Sequence, residues 1–383
     1  SPSPTGEDFP IVQGAGHIFR PALDGREVVV WYARGEDGLD IWGLQLGEDG
    51  RARGDQFPFL ISGGVGDQAV PAVASSVKGG NHLVVWHTQP SRNADSDVHA
   101  RYLDSQGRPQ GAPFPISAAE GDQLRPAVAY APAGEAFVVV WQDDRTGNGF
   151  DLYARLAPAT DRGAGRGAAG GQEFIVSSAP GDQLIPAIAC ETDEPRCLVV
   201  WMDNRNASVF DTDVLGRLID VVTGEAIGDE IDVAVARWYQ DSPAVVYNPV
   251  SGEYMVVWND DISCRRVSRN GRPQGAKIDI SLESPFQYKP AISVNAAGNY
   301  LVVWEDGRNQ PDHGTDIYAQ WLSPAGLPIE RNFAISNDHH NQYTPALIFD
   351  PQAQVFFVVW ADDRRNDNLV LYGRRLSHVS PGQ

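Results

Sequence analysis

The sequence predicts an all-β chain folded as a seven-bladed β-propeller with four antiparallel strands per blade, and three observations carry that prediction. An apolar run ending in tryptophan recurs at Trp31, Trp86, Trp141, Trp201, Trp258, Trp304 and Trp360, at spacings of 55, 55, 60, 57, 46 and 56 residues. Upstream of each tryptophan a proline opens a short apolar or alternating segment: Pro21, Pro71, Pro126, Pro186, Pro243, Pro290 and Pro345. Finally, the first strand-like segment, FPIV at Phe9 to Val12, matches the fourth-strand element FPIS of later repeats, while the last repeat stops after LYGRRL without one. A unit of about 40–55 residues with four strands, repeated four to eight times, is the signature of a propeller.

Each element follows from local chemistry. The innermost strand is expected to begin at the proline, where a missing ladder donor is tolerated. The second strand, VVVW in type, is apolar on successive residues because a blade is covered on both faces by its neighbours. A polar loop follows, then a strand such as DLYARL or DIYAQWL, a glycine-marked turn, and a fourth strand such as PFPIS or FAIS. The expected organisation is one domain over residues 1–383, with blades at about 20–62, 70–117, 125–177, 185–233, 242–281, 289–336 and 344–376, the last completed by 8–12. Closing the ring with the N-terminal strand removes the exposed edges of an open arc.

Composition narrows the function classes. Thirty lysines and arginines stand against fifty acids, a formal charge of −20, which repels nucleic acid and anionic membrane surfaces. No stretch approaches the roughly 18 apolar residues of a membrane span, and no basic-then-apolar signal segment is visible. Neither nucleic acid nor membrane insertion is expected. Cys190 and Cys197 flank a turn between two strand-like segments and are expected to meet as a disulfide, the alternative being two buried thiols. Cys264 is the odd one out. A disulfide, 39 glycines, 27 prolines and strong acidity point to a secreted, periplasmic or cell-surface bacterial protein.

The VVWxDxR run followed by D-I-Y-A resembles the seven-bladed propeller repeats of secreted bacterial proteins, over nearly the whole chain from Phe9 to Leu376. That resemblance implies a fold and no particular activity, since propellers host hydrolases, lyases, lectins and scaffolds. A regular SxDxGxTW box and the GH…WD signature are both missing from the sequence.

Residues that recur in most repeats read as architecture. Asp143, Asp203, Asp260, Asp306 and Asp362 lie two positions past a tryptophan, and Arg145, Arg205, Arg308 and Arg364 two further on; Asp151, Asp213 and Asp316 open the next strand. An arginine fork bridging the two carboxylates would pin the intervening loop. A calcium-like divalent cation held by the aspartates is the alternative, disfavoured because arginine already supplies the countercharge. Gln68, Gln123, Gln183, Gln240, Gln287 and Gln342, three residues before the proline, suit capping of backbone groups where one blade passes to the next.

Single-copy chemistry is expected in the loops leading into the innermost strands, which ring the channel mouth. Once the ring closes, repeats six, seven and one are neighbours, bringing together Phe19, Phe286, Tyr288 and Tyr343 with His17, Arg20, Lys289, His339 and His340; Trp238 and Tyr239 of repeat five adjoin them. Aromatic faces beside cations and imidazoles suit a glycan or small anionic organic ligand, while the structural alternative is that the rings plug the channel. His339 and His340 point to opposite sides of an extended segment, and a metal would need a third ligand such as His17. Asp241 and Asp338 lie in loops where an acid/base pair would be placed.

Two irregularities stand out. Repeat five loses most of the loop after Trp258, leaving Cys264 and Arg265 near a notch in the rim, and residues 157–172 form a glycine- and alanine-rich insertion without the lysine and strand-to-helix context of a phosphate loop. Asn206 begins an N-glycosylation sequon. The expected function is a non-catalytic recognition module for a glycan, small molecule or protein; a polysaccharide-acting hydrolase or lyase and a structural subunit of a surface assembly are the alternatives.

Overall fold

In the computed structural model the described residues are 7–12, 17–24, 28–54, 57–76, 80–159, 171–208, 211–236, 239–282, 286–310, 314–364 and 369–377. They form seven four-stranded antiparallel sheets and no helix. None of them could therefore cross a membrane as a long apolar helix. The innermost strands are Ile18–Asp24, Asp67–Ser75, Gln123–Ala131, Gln183–Cys190, Asp241–Asn248, Gln287–Val294 and Gln342–Asp350. Each packs on the next, and the seventh packs on the first, so the arrangement is a closed circle.

The closure is the one expected. Phe9–Val12 pairs with the third strand of blade 7, Val370–Leu376, in the sheet order N-terminal strand, third, second, innermost. Phe9, Ile11 and Val12 are buried in the core shared by blades 7 and 1, beside Trp31 and Val359. Asp8 accepts from Ser336 Oγ at 3.0 Å and pairs with Arg364 at 3.1 Å and Arg374 at 3.4 Å, all on blades 6 and 7.

The second strands show why their runs are apolar on successive residues. Val139 and Trp141 face the core between blades 2 and 3, while Val138 and Val140 face the core between blades 3 and 4. The strand's twofold side-chain alternation feeds two different cores. All seven repeat tryptophans are 0% exposed.

The innermost strands depart from expectation in one respect. They begin two to four residues upstream of the proline, which sits inside the strand beside a bulge where the register slips in every blade. A bulge leaves a residue unpaired, so proline's missing N–H costs no ladder bond there. The residue just before the proline has a φ of 43–53° in all seven blades, at Arg20, Val70, Arg125, Ile185, Ser242, Lys289 and Thr344. Three of these, Val70, Ile185 and Thr344, are β-branched, a residue class that rarely adopts this conformation, and they hold it beside the bulge.

Cys190 and Cys197 lie directly opposite on paired strands and are bonded, with an S–S distance of 1.97 Å. Cys264 is a buried free thiol, and burial pushes its pKa up to about 12, which removes the thiolate needed for reactivity. Residues 160–170 of the glycine-rich insertion and Trp238 lie outside the described residues.

Candidate functional site at the channel mouth

The repeated aspartate and arginine build a structural unit. In blade 3, Trp141 Nε1 donates to Asp143 Oδ2 at 2.8 Å, and Arg145 grips the same carboxylate through Nε at 2.8 Å and Nη2 at 2.5 Å. The same geometry recurs at Trp201–Asp203–Arg205, Trp304–Asp306–Arg308 and Trp360–Asp362–Arg364. The guanidinium also lies over a tyrosine ring, 3.9 Å from Tyr153, 3.9 Å from Tyr318 and 4.0 Å from Tyr372. The fork's second anion differs from the expectation. It is Glu173 at 2.8 Å in blade 3 and Glu230 at 2.6 Å in blade 4, not Asp151 or Asp213. Stacked on the tyrosine in blade 3, the guanidinium reaches outward to the segment leading into the fourth strand. The strand-opening aspartates bond loop side chains instead: Asp151 to Thr146, Asp213 to Asn206 and Asp316 to Asn309. Burial pushes the pKa of Asp151 and Asp213 up. Among the described residues no group of three histidines, cysteines or carboxylates is placed to hold a metal ion.

The recurrent glutamines are buried, and Gln123, Gln183 and Gln342 donate to carbonyls two to four residues upstream. They hold the chain in place just before the bulge, which fixes where the next two residues point.

Those residues make the channel mouth. A cavity of about 450 Å³ is lined by Arg20, Arg125, Ile185, Ser242, Lys289 and Thr344, with Pro21, Pro243, Pro290 and Pro345. The cations come from blades 1, 3 and 6, at intervals of two, three and two blades around the ring, as near to threefold as seven positions allow. Lys289 Nζ lies 3.0 Å from Glu305 Oε1, which also accepts from Thr344 N at 2.5 Å. Among the described residues Arg20 and Arg125 have no ion pair. Burial and the like charge of Arg125 hold the Arg20 guanidinium below its ordinary pKa. Burial, then Arg125 and Arg20, push His87 down to about 4, so it is neutral at pH 7. Burial raises the Tyr32 phenol against the pull of both arginines. Three cations and one carboxylate leave about two positive charges here, inside a chain of net charge −20.

The expected binding patch is thereby divided. Arg20 and Lys289 line the channel. Tyr239 and Tyr288 line a separate cavity of about 510 Å³ with Asp241. His17, Phe19 and Tyr32 form a stack, with centroids 6.2 and 5.3 Å apart. Phe286, His339 and His340 are exposed outside both cavities, and Tyr343 is half-buried beside Asn341. The reason is register: neighbours such as Tyr288 and Lys289, or Asp241 and Ser242, project to different sides of one strand. Arg125 was missed because its repeat carries no aromatic residue in the segment QLR; the signal that finds it is the single position before each innermost-strand proline. The positions just past each tryptophan, His87, Gln142 and Glu305, were missed likewise, and two of them cap the next blade's bulge: Gln142 Oε1 accepts from Ile185 N at 3.2 Å, as Glu305 does from Thr344.

No protein-family model matches the chain, and no curated relative does. Solved structures do match in fold. A protein of unknown function from Dyadobacter fermentans aligns at 12% identity with a TM-score of 0.54, covering 82% of this chain and 95% of that one. A Trypanosoma rangeli sialidase in complex with the inhibitor DANA aligns at 9% identity and 0.50, covering 86% and 57%. The leech intramolecular trans-sialidase aligns at 10% and 0.51, covering 95% and 68%. The chain spans little more than half the length of the Trypanosoma structure, and at these identities the likeness is one of fold.

Proposed function

We propose that this propeller is a non-catalytic binding module that takes a compact, multiply charged anion at the channel mouth. The observation that carries the reading is the near-threefold placement of Arg20, Arg125 and Lys289 around one cavity, two of them without a carboxylate partner among the described residues. Paired arginines hold oxyanions through charge-assisted, bidentate hydrogen bonds. The flanking bulges fix their backbones beforehand, which lowers the ordering cost of binding. The Cys190–Cys197 bond supports a site of action in an oxidising compartment, outside the cytosol.

The test is calorimetric titration with citrate, sulfate, phosphate and acetate at low ionic strength. The multivalent anions are expected to bind at the channel and acetate weakly or not at all. Arg20→Ser and Arg125→Ser are each expected to weaken binding about tenfold or more, from the roughly 1.5–3 kcal/mol of a charge-assisted bond. Serine is chosen because Ser242 already occupies this position in blade 5 with the same backbone, φ 49°. Failure of all the anions to bind, or equal affinity in the double variant, sinks the proposal.

A further inference from the structure

Blade 5 lacks the internal cation that fills the corresponding place in four other blades. After Trp258 the sequence reads Asn259-Asp260-Asp261-Ile262, so isoleucine stands where Arg145, Arg205, Arg308 and Arg364 stand elsewhere. Asp260, the counterpart of Asp143, has turned outward to Lys277 Nζ at 2.6 Å, and Trp258 Nε1 is buried without an acceptor. The shortened loop leaves the cavity of about 510 Å³ with Asp260 in its wall.

The walls of that cavity are those of a cation site. Tyr239 and Tyr288 present rings 48% and 43% exposed. Asp241 accepts from Ser242 and has no cation against it, and Asp261 has no ion pair, among the described residues. Lys277 is shared between Asp260 and Asp279, the latter at 3.0 Å. Gln287 borders the cavity while only 2% exposed, its Nε2 bound to Ser281 and Asp306 and its Oε1 without a donor. That acceptor is unpartnered in Gln68, Gln123, Gln183 and Gln342 as well, and Gln287 itself lines a cavity bounded by carboxylates and aromatic rings.

We infer that this notch binds a guanidinium or primary ammonium group supplied by a ligand, in a blade that carries isoleucine where blades 3, 4, 6 and 7 carry arginine. A planar, multiply donating cation satisfies the carboxylates while stacking on tyrosine, as Arg145 does over Tyr153. The site adjoins the channel through the shared segments 241–242 and 288–289, yet its charge is of opposite sign, so it is independent of the anion reading.

The test is titration of the whole chain with ethylguanidinium and butylammonium chlorides, followed by NMR of the tyrosine rings at low ionic strength, with urea as the neutral counterpart. Saturable binding of the cations and none of urea is expected. Asp261→Asn and Tyr239→Ala, both at exposed positions, are each expected to weaken it at least about fivefold, as the loss of one charge-assisted or cation–π contact would. The Arg20→Ser/Arg125→Ser variant should retain it. A short peptide with an internal arginine separates the sources: tighter binding than ethylguanidinium points to a protein side chain, equal binding to a free amine or guanidine. Absence of saturable cation binding, equal binding of urea, or affinity unchanged in both notch variants overturns the inference.

Discussion

Deletion of residues 1–12 is expected to abolish the cooperative folding transition of the monomer. Phe9, Ile11 and Val12 are 4–7% exposed, and burying side chains of this size contributes about 1.5–3 kcal/mol each. Their loss, roughly 5–8 kcal/mol, is comparable with the whole stability of a typical domain, about 5–15 kcal/mol. The deletion also bares the edge of Val370–Leu376 and leaves Arg364 and Arg374 without Asp8. Bare edges recruit other chains, so the truncated protein should elute as oligomers or aggregate, measurable by gel filtration and thermal unfolding. A monomer with an unchanged melting temperature would contradict the closure. Asp8→Ala alone, which spares the strand, should cost much less.

Asp306→Ala should destabilise the chain by about 3–5 kcal/mol, the range for removing one partner of a buried, hydrogen-bonded charge pair. The Asp306 carboxylate is 0% exposed and receives Trp304 Nε1, Gln287 Nε2, and Arg308 N, Nε and Nη2 within 2.6–2.9 Å. Burial alone would raise its pKa, but the hydrogen bonds from Arg308 and Trp304 outweigh it and hold it below the ordinary value. The folded carboxylate therefore binds protons less readily than the unfolded one. Its contribution is present above the unfolded pKa of about 3.9 and is lost as pH falls through the folded pKa. Urea unfolding across the acid range should show a steeper loss below about pH 4 in the wild type than in Asp306→Asn. Raised groups such as Asp151 and Asp213 act in the opposite direction, so the comparison of the two proteins isolates Asp306. Parallel acid limbs would remove this residue from the account.

The fold was legible because every repeat carries a tryptophan that fills an inter-blade core, and six of the seven carry a glutamine that fixes the register. The closing strand was legible from Phe9 to Val12 because its partner, Val370–Leu376, ends a repeat that is one strand short. The fork on Asp143 was legible in kind but not in its far partner, since Glu173 follows an insertion that breaks the repeat's spacing. Ligand-facing residues were the hardest to read. Grouping by loop collects Tyr288 with Lys289 and Phe19 with Arg20, whereas the bulge sends each member of such a pair to a different side. Arg125 has no chemical company in its own loop, and only the positions of Arg20 and Lys289 relative to their prolines reveal that it shares their ring.

On the proposed reading Arg20, Arg125 and Lys289 act together as one anion site in the channel. Crystals grown without other multivalent anions and soaked in selenate test it most directly, because selenium can be located by its anomalous signal. A single strong peak inside the channel, in hydrogen-bonding contact with both arginines and facing Lys289, is expected. Selenate bound only on the outer surface, with the channel mouth empty, would contradict it.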